Sequence, residues 1–213
     1  MRIGVLGAGQ VGTTLATALA KAGHQVSVGS RDAGSAALAA WSGDHPGARV
    51  GSYLDVAGDE DLVINATPGL ASASILQTVR PALGSSVVWD VANPLDFSDG
   101  VAVVHPDGVS LGEQLQTLLP DNAVVKVLNT VNTDVMVDPR GLGADHQVFL
   151  CGNDDSAKDS VRAVLADLGW TADQVIDLGD ISAARGTESY LLLWIRLMST
   201  LGTTRFNIGV VRP

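Results

Sequence analysis

Met1-Arg2-Ile3-Gly4-Val5-Leu6-Gly7-Ala8-Gly9-Gln10-Val11-Gly12 is the stretch whose reading decides the fold. A short apolar run leads directly into the glycines at 7, 9 and 12. Thr13-Thr14-Leu15-Ala16-Thr17-Ala18-Leu19-Ala20 then continues as an alanine-rich helix. A glycine hexapeptide alone says little, because glycine turns are common. A strand before it and a helix after it are what the dinucleotide-binding fingerprint requires. Gly7 permits the tight turn, Gly9 lets a pyrophosphate approach bare backbone, and Gly12 lets the helix pack closely on the strand. The helix N-terminus adds unpaired N–H groups and a partial positive charge. Gly7, Ala8, Gly9, Gln10, Val11 and Gly12 are therefore the first candidate cofactor-binding residues.

Gln25-Val26-Ser27-Val28 reads as the second strand, and Gly29-Ser30-Arg31-Asp32 ends it. An NAD site usually carries a carboxylate at this point to hold the ribose 2′-hydroxyl, whereas an arginine suits the 2′-phosphate of NADP. A guanidinium fork matches phosphate oxygens, and a serine hydroxyl adds a donor. Ser30 and Arg31 thus point to NADP(H). Asp32 is expected to cap a helix running from Ala33 to Trp41.

Further along, Arg49–Tyr53, Asp61–Ala66, Ser86–Val91, Ala123–Leu128, Gln147–Gly152 and Gln174–Leu178 read as strands. Asp61-Leu62-Val63-Ile64-Asn65 is apolar on consecutive positions, as strands covered on both faces are. Helical segments are expected over 71–83, 111–119 and 155–169, and residues 96–110 read as an irregular polar stretch. Strands alternating with helices predict an α/β fold with a doubly wound, mostly parallel sheet, the Rossmann fold. Residues 1–178 would form that domain, and 179–213 a small C-terminal helical part that closes the substrate site. Gly186 to Leu201 is apolar nearly all round, so it should be buried on several sides. A homodimer interface on this helix is the expectation.

Composition removes other classes. The chain has 213 residues, 46% of them hydrophobic, and a formal charge of −10. Such an acidic protein, with lysine only at 21, 126 and 158, is a poor partner for nucleic acid or an anionic membrane. Its longest apolar stretch, Tyr190 to Met198, is broken by Arg196 and falls short of the roughly 20 residues of a membrane span. No signal-peptide pattern opens the chain, and Cys151 stands alone, so neither an intramolecular disulfide nor a cysteine-rich metal site is available. A cytoplasmic, metal-free protein is expected.

In an open parallel sheet, ligands bind beyond the carboxyl ends of the strands. Thr67-Pro68-Gly69, Ala92-Asn93-Pro94 and Asn129-Thr130-Val131-Asn132 follow three strands and fall at that edge. Thr67, Pro68 and Asn93 join the cofactor-binding candidates, and Asn129, Thr130 and Val131 are candidates for positioning the reacting rings. No nucleophile elbow and no zinc-binding helix motif occurs. His24 reads as structural and His105 as a surface residue, and neither Lys126 nor Lys158 is an evident acid or base. Hydride exchange between two ring systems asks little of the protein beyond alignment. A chain rich in small neutral residues suits it.

The chain resembles the NADPH-dependent oxidoreductases of the deazaflavin coenzyme F-420, whose domain recurs in the six-transmembrane ferric reductases. The resemblance covers almost the whole length. It is carried by the glycine turn, Gly29-Ser30-Arg31 and Lys126-Val127-Leu128-Asn129-Thr130-Val131. It continues through Cys151-Gly152-Asn153-Asp154, Asp177-Leu178-Gly179, Ser182-Ala183-Ala184-Arg185 and Glu188. It implies an NADP-dependent oxidoreductase with Ser30 and Arg31 on the 2′-phosphate. It also implies a dimer, and a stacking place for nicotinamide and deazaflavin beside Asn129, Thr130 and Val131. The second substrate would be coenzyme F-420 or a related flavin (FMN or FAD). The alternatives are an NADPH-dependent flavin or ferric reductase, or an NADP(H) sensor without turnover. In a sensor, Trp194 or Tyr190 could fill the slot.

Overall fold

A computed structural model describes residues 1–211, the side chain of Ala37 excepted. The first half of the chain runs β1 (Arg2–Leu6), α1 (Gln10–Lys21), β2 (Gln25–Ser30), α2 (Ala36–Asp44), β3 (Arg49–Ser52), α3 (Tyr53–Ala57), β4 (Leu62–Asn65), α4 (Gly69–Val79) and β5 (Val87–Asp90). A short hairpin of β6 (Leu95–Asp96) and β7 (Ala102–Val103) precedes α5 (Leu111–Leu118) and β8 (Val124–Lys126). The chain then continues through α6 (Thr133–Val137), β9 (Val148–Gly152), α7 (Asp155–Asp167), β10 (Val175–Asp177) and α8 (Ala184–Leu201).

The main sheet has the order β10-β9-β8-β5-β4-β1-β2-β3. Every neighbouring pair is parallel except β8 and β9. From β3 to β8 this is the arrangement of doubly wound nucleotide-binding sheets, with the strand order reversing between β1 and β4. Alternation along the strands divides the core. Ile3, Val5, Leu62, Ile64, Trp89 and Val125 pack with α1, α2, α6 and α7. Leu6, Val63, Val88 and Val124 pack with α3, α4, α5 and the start of α8. Both faces are covered, which explains why β4 is buried at all four positions.

Three local expectations are corrected. Asp32 does not cap a helix at Ala33: α2 begins at Ala36, and its N-cap is Ser35, whose Oγ accepts from Leu38 N at 3.4 Å. The Asp32 carboxylate instead accepts from Gly34 N at 3.0 Å, so a local turn consumes the residues assigned to the helix start. Tyr53 does not end β3 but opens α3, because Ser52 and Asp55 form a reciprocal capping box. Finally, α8 is not buried on several sides within one chain. Ala184, Thr187, Glu188 and Leu191 form its buried face, whereas Leu192 and Leu193 stay 45% and 55% exposed.

Candidate cofactor and active site

The sheet register gathers the candidate loops. Leu6 lies opposite both Gly29 and Asn65, Asn65 opposite Asp90, and Asp90 opposite Lys126. The segments after these five strands therefore share one edge.

At the glycine turn, Gly7 has a φ of +128° and donates its N–H to Gly29 O at 2.9 Å. A Cβ on Gly12 would sit 1.9 Å from Gly7 O, so α1 can start this close to β1 only without a side chain there. A Cβ on Gly9 would meet nothing within 4 Å. That position is bare because of the space beyond it rather than a neighbour. Gly9 is also the N-cap of α1, and it has no side chain to cap the first N–H groups. No acidic residue occupies the first turn. The helix end keeps its positive partial charge and its donors for an anion.

Beside the turn, the Ser30 hydroxyl donates to Asp32 O. Arg31 is exposed, and no partner among the described residues engages its guanidinium. The Asp32 carboxylate faces Gly34 N instead, so the acidic and basic residues of this loop are not paired with each other.

The second part of the edge is a cavity of about 260 Å³. Val11, Thr67, Pro68, Asn93, Asn129, Thr130 and Val131 line it, together with Leu191 and Trp194 of α8. Seven of the candidate residues thus meet in one place, while Ser30 and Arg31 lie outside it. Leu128, at a φ of +67°, turns the chain sharply after β8. A left-handed leucine costs about 1–3 kcal/mol and persists only where surroundings enforce it. Here the following residue is clamped: Asn93 Nδ2 donates to Asn129 O at 2.8 Å, and Asn129 Nδ2 donates to Asn93 Oδ1 at 3.0 Å. Asn129 Oδ1 and Thr130 Oγ1 are buried with no partner among the described residues. Thr67 is held from behind, donating to Asn65 Oδ1 at 2.6 Å and lying 2.8 Å from Ser72 Oγ.

Behind this wall lies a charge cluster that the sequence reading did not anticipate. Lys126 Nζ contacts Asp90 Oδ2 at 2.6 Å, Glu188 Oε1 at 2.9 Å and Ala92 O at 2.7 Å, with all three side chains wholly buried. Burial alone would lower the lysine, but the two carboxylates outweigh it and hold the ammonium above its ordinary value. Burial pushes Asp90 up, against the pull of Lys126. Glu188 also accepts the N–H groups of Leu111 and Gly112 at the start of α5, at 2.9 and 3.0 Å. His105 is no surface residue: its Nε2 lies 2.8 Å from Glu188 Oε2. The signal was present, since a lysine closing a strand buried on both faces needs a buried counter-charge. Asp90 stands opposite it in the sheet register. Sealed from the cavity, Lys126 offers no proton to a ligand there.

A larger crevice of about 660 Å³ opens at the amino ends of β1, β2 and β3. Its size does not make it the site. Ligands of open α/β sheets bind at the other edge. The charges around it also pair locally, Arg2 with Asp61 and Arg49 with Glu60.

The sheet order, the glycine turn and the open helix end define a dinucleotide-binding domain of the doubly wound class. The family model described as "NADP oxidoreductase coenzyme F420-dependent" matches residues 2–94. A crystal structure of an Arthrobacter sp. FB24 protein, proposed to be an F420-dependent NADP-reductase, is 43% identical and superposes with a TM-score of 0.92 over 99% of both chains. The chain belongs to this family of F420-dependent NADP oxidoreductases. It is 29% identical to the F420-dependent NADP reductase of Methanothermobacter marburgensis, with 92% of each chain covered. It is 28% identical to the metalloreductase STEAP3 of Rattus norvegicus over 88% of this chain, but spans only 36% of that relative's length. No helix among the described residues is long and apolar enough to cross a membrane. The family model, the Methanothermobacter reductase and the Arthrobacter structure are described by F420 and NADP, and none of the three by FMN or FAD, so an ordinary flavin as second ring has no support.

Proposed function

We propose that the protein transfers a hydride between NADP(H) and a deazaflavin of the coenzyme F-420 type. The observation that carries this reading is the cavity at the strand ends, lined by the candidate loops and left open by α8. Trp194 and Leu191 wall the slot rather than fill it, which favours turnover over a sensor. The glycine turn fits a pyrophosphate: Gly9 leaves open space, and the uncapped helix end supplies donors. Ser30 and Arg31 would hold the 2′-phosphate, the guanidinium having no partner among the described residues. Val11, Thr67 and Pro68 would border the nicotinamide. Asn129, Thr130 and Val131 would set the two rings against each other, with Asn93 clamping Asn129. When bound, the two cofactors supply the chemistry, a hydride passing from one ring to the other. The residues of this chain would align the rings, and Asn129, Thr130 and Val131, each at most 6% exposed, are held in place by packing.

The exposed Leu192 and Leu193 of α8 would meet a second copy of the chain in a homodimer. Sedimentation at micromolar concentration tests this, and a monomer alone would overturn it. The redox reading is tested with purified protein and NADPH. Oxidation is expected only when the deazaflavin is supplied. Tight NADPH binding with no turnover would instead favour the sensor.

A further inference from the structure

Three neighbouring strands in the middle of the sheet each end in a polar residue. Asn65 of β4 stands opposite Asp90 of β5, and Asp90 opposite Lys126 of β8. All three side chains are wholly buried. A polar row inside an apolar sheet is costly unless its members satisfy one another. Here they do, and each bond has a set direction. Asp90 takes Lys126 Nζ on Oδ2 at 2.6 Å and Asn65 Nδ2 on Oδ1 at 2.8 Å. With its nitrogen committed, Asn65 turns its carbonyl oxygen to Thr67, whose Oγ1 donates at 2.6 Å. Thr67 N donates to the same oxygen at 3.3 Å.

The row leads to the cavity without opening into it. Thr67 lines the cavity, whereas Asn65, Asp90 and Lys126 do not. From Glu188 of α8 through Lys126, Asp90 and Asn65 to Thr67, every link is 2.9 Å or shorter. One neutral amide thus connects the charged cluster to the turn after β4.

Resting on the reading above, we propose that Asn65 is a positioning residue for the redox site and acts through Thr67. It touches neither cofactor. It carries the fixed orientation of Asp90 to the Thr67-Pro68-Gly69 turn, and the turn holds the nicotinamide at one angle. Binding and reaction make different demands on the protein. In that reading the pyrophosphate and the 2′-phosphate are anchored at the glycine turn and at Arg31, so affinity is set there. Hydride transfer depends on where the ring points, and a small misplacement of the reacting atoms slows it steeply. A residue that only aims the turn therefore shows in the rate rather than in the affinity.

The test compares Asn65→Ala and Thr67→Val with Asn122→Ala. Asn122 Nδ2 bridges Gly84 O and Ser86 O at 3.1 and 3.0 Å, ahead of β5 and so at the other edge of the sheet. Its loss should lower the melting temperature and leave the site intact. Steady-state constants are measured with the full chain, NADPH affinity by calorimetry, and the emission of bound NADPH reports how firmly the nicotinamide is held. Asn65→Ala and Thr67→Val are each expected to lower kcat about tenfold and to remove the gain in NADPH emission on binding, with affinity changed less than about threefold. The double variant should lose no more than either single one, because both break the same link. Thr67→Ser keeps the hydroxyl and should keep kcat. Thr67→Val preserves the side-chain shape, so it tests the link even where Asn65→Ala is too unstable to purify. Wild-type kcat and emission in Asn65→Ala overturn the assignment, and so does an additive loss in the double variant. If the wild type binds NADPH but does not turn over the deazaflavin, the redox reading falls, and the emission alone decides the role of Asn65.

Discussion

Glu188 Oε1 lies 2.9 Å from Lys126 Nζ, and neither side chain touches solvent. This contact joins the last helix to the sheet directly behind the cavity wall. Removing one member of a buried ion cluster leaves an uncompensated charge, which typically costs about 3–5 kcal/mol. Lys126→Met is therefore expected to destabilise the protein by about that amount, because Asp90 and Glu188 would both lose their ammonium. Urea denaturation measures the change. A loss below about 1 kcal/mol would contradict a buried cluster that depends on the ammonium.

Gly9 and Gly12 should behave oppositely when each is changed to alanine. A Cβ at Gly12 would lie 1.9 Å from Gly7 O, so that variant should lose both stability and nucleotide binding. A Cβ at Gly9 meets nothing within 4 Å, so Gly9→Ala should lose only the modest preference of an N-cap for glycine over alanine, far less than Gly12→Ala, yet bind NADP⁺ more weakly. Thermal unfolding and calorimetry separate the two effects. Wild-type affinity in Gly9→Ala would mean that no pyrophosphate passes there.

Arg31→Ala is expected to weaken NADPH by about 1.5–3 kcal/mol, the range for a hydrogen bond to a charged group. NADH, which lacks the 2′-phosphate, should be unaffected. Equal losses for both cofactors would remove Arg31 from the phosphate site.

Glu113 gives the protein a predictable acid limb. Arg185 Nε and Nη2 donate to its two oxygens at 2.7 and 2.5 Å. The Arg185 contact is the main reason its pKa falls from 4.5 to about 2, burial opposing it and Ser110 assisting. The folded state thus prefers the ionised carboxylate. The stabilisation is fully present above the unfolded value of 4.5 and is lost as pH falls through about 2. Stability of the wild type should decline across that window, and Glu113→Gln should decline less steeply. Parallel pH profiles from chemical denaturation would contradict the pairing.

How far the site was legible depends on the range of the interactions that make it. The glycine turn was readable because its constraints are local: Gly7 and Gly12 are five residues apart and meet directly. Thr67, Asn93 and Asn129 were readable as a group because a parallel sheet puts the residues after its strands on one edge. The Asn93–Asn129 clamp was not, since it depends on the unusual backbone at Leu128. His105 was misread for a similar reason. Its partner Glu188 is 83 residues away, and nothing near His105 in the chain announces it. The capping boxes at Ser52 and Ser110 were legible and passed over, at the expense of α3.

By itself the sequence determined the doubly wound sheet and the glycine turn that opens α1, and it supplied the proposals for a pyrophosphate at that turn and a phosphorylated ribose at Ser30 and Arg31. All three follow from periodicity, glycine spacing and the residue types at a strand end, which act within one supersecondary unit. Only the tertiary structure decided that Lys126, Asp90, Glu188 and His105 form one buried cluster, and that this cluster seats α8 beside the cavity. Only it left the Trp194 N–H buried without an acceptor among the described residues. Buried charges and unpaired donors are settled by whatever the folded chain brings against them, and those neighbours come from segments far apart in sequence.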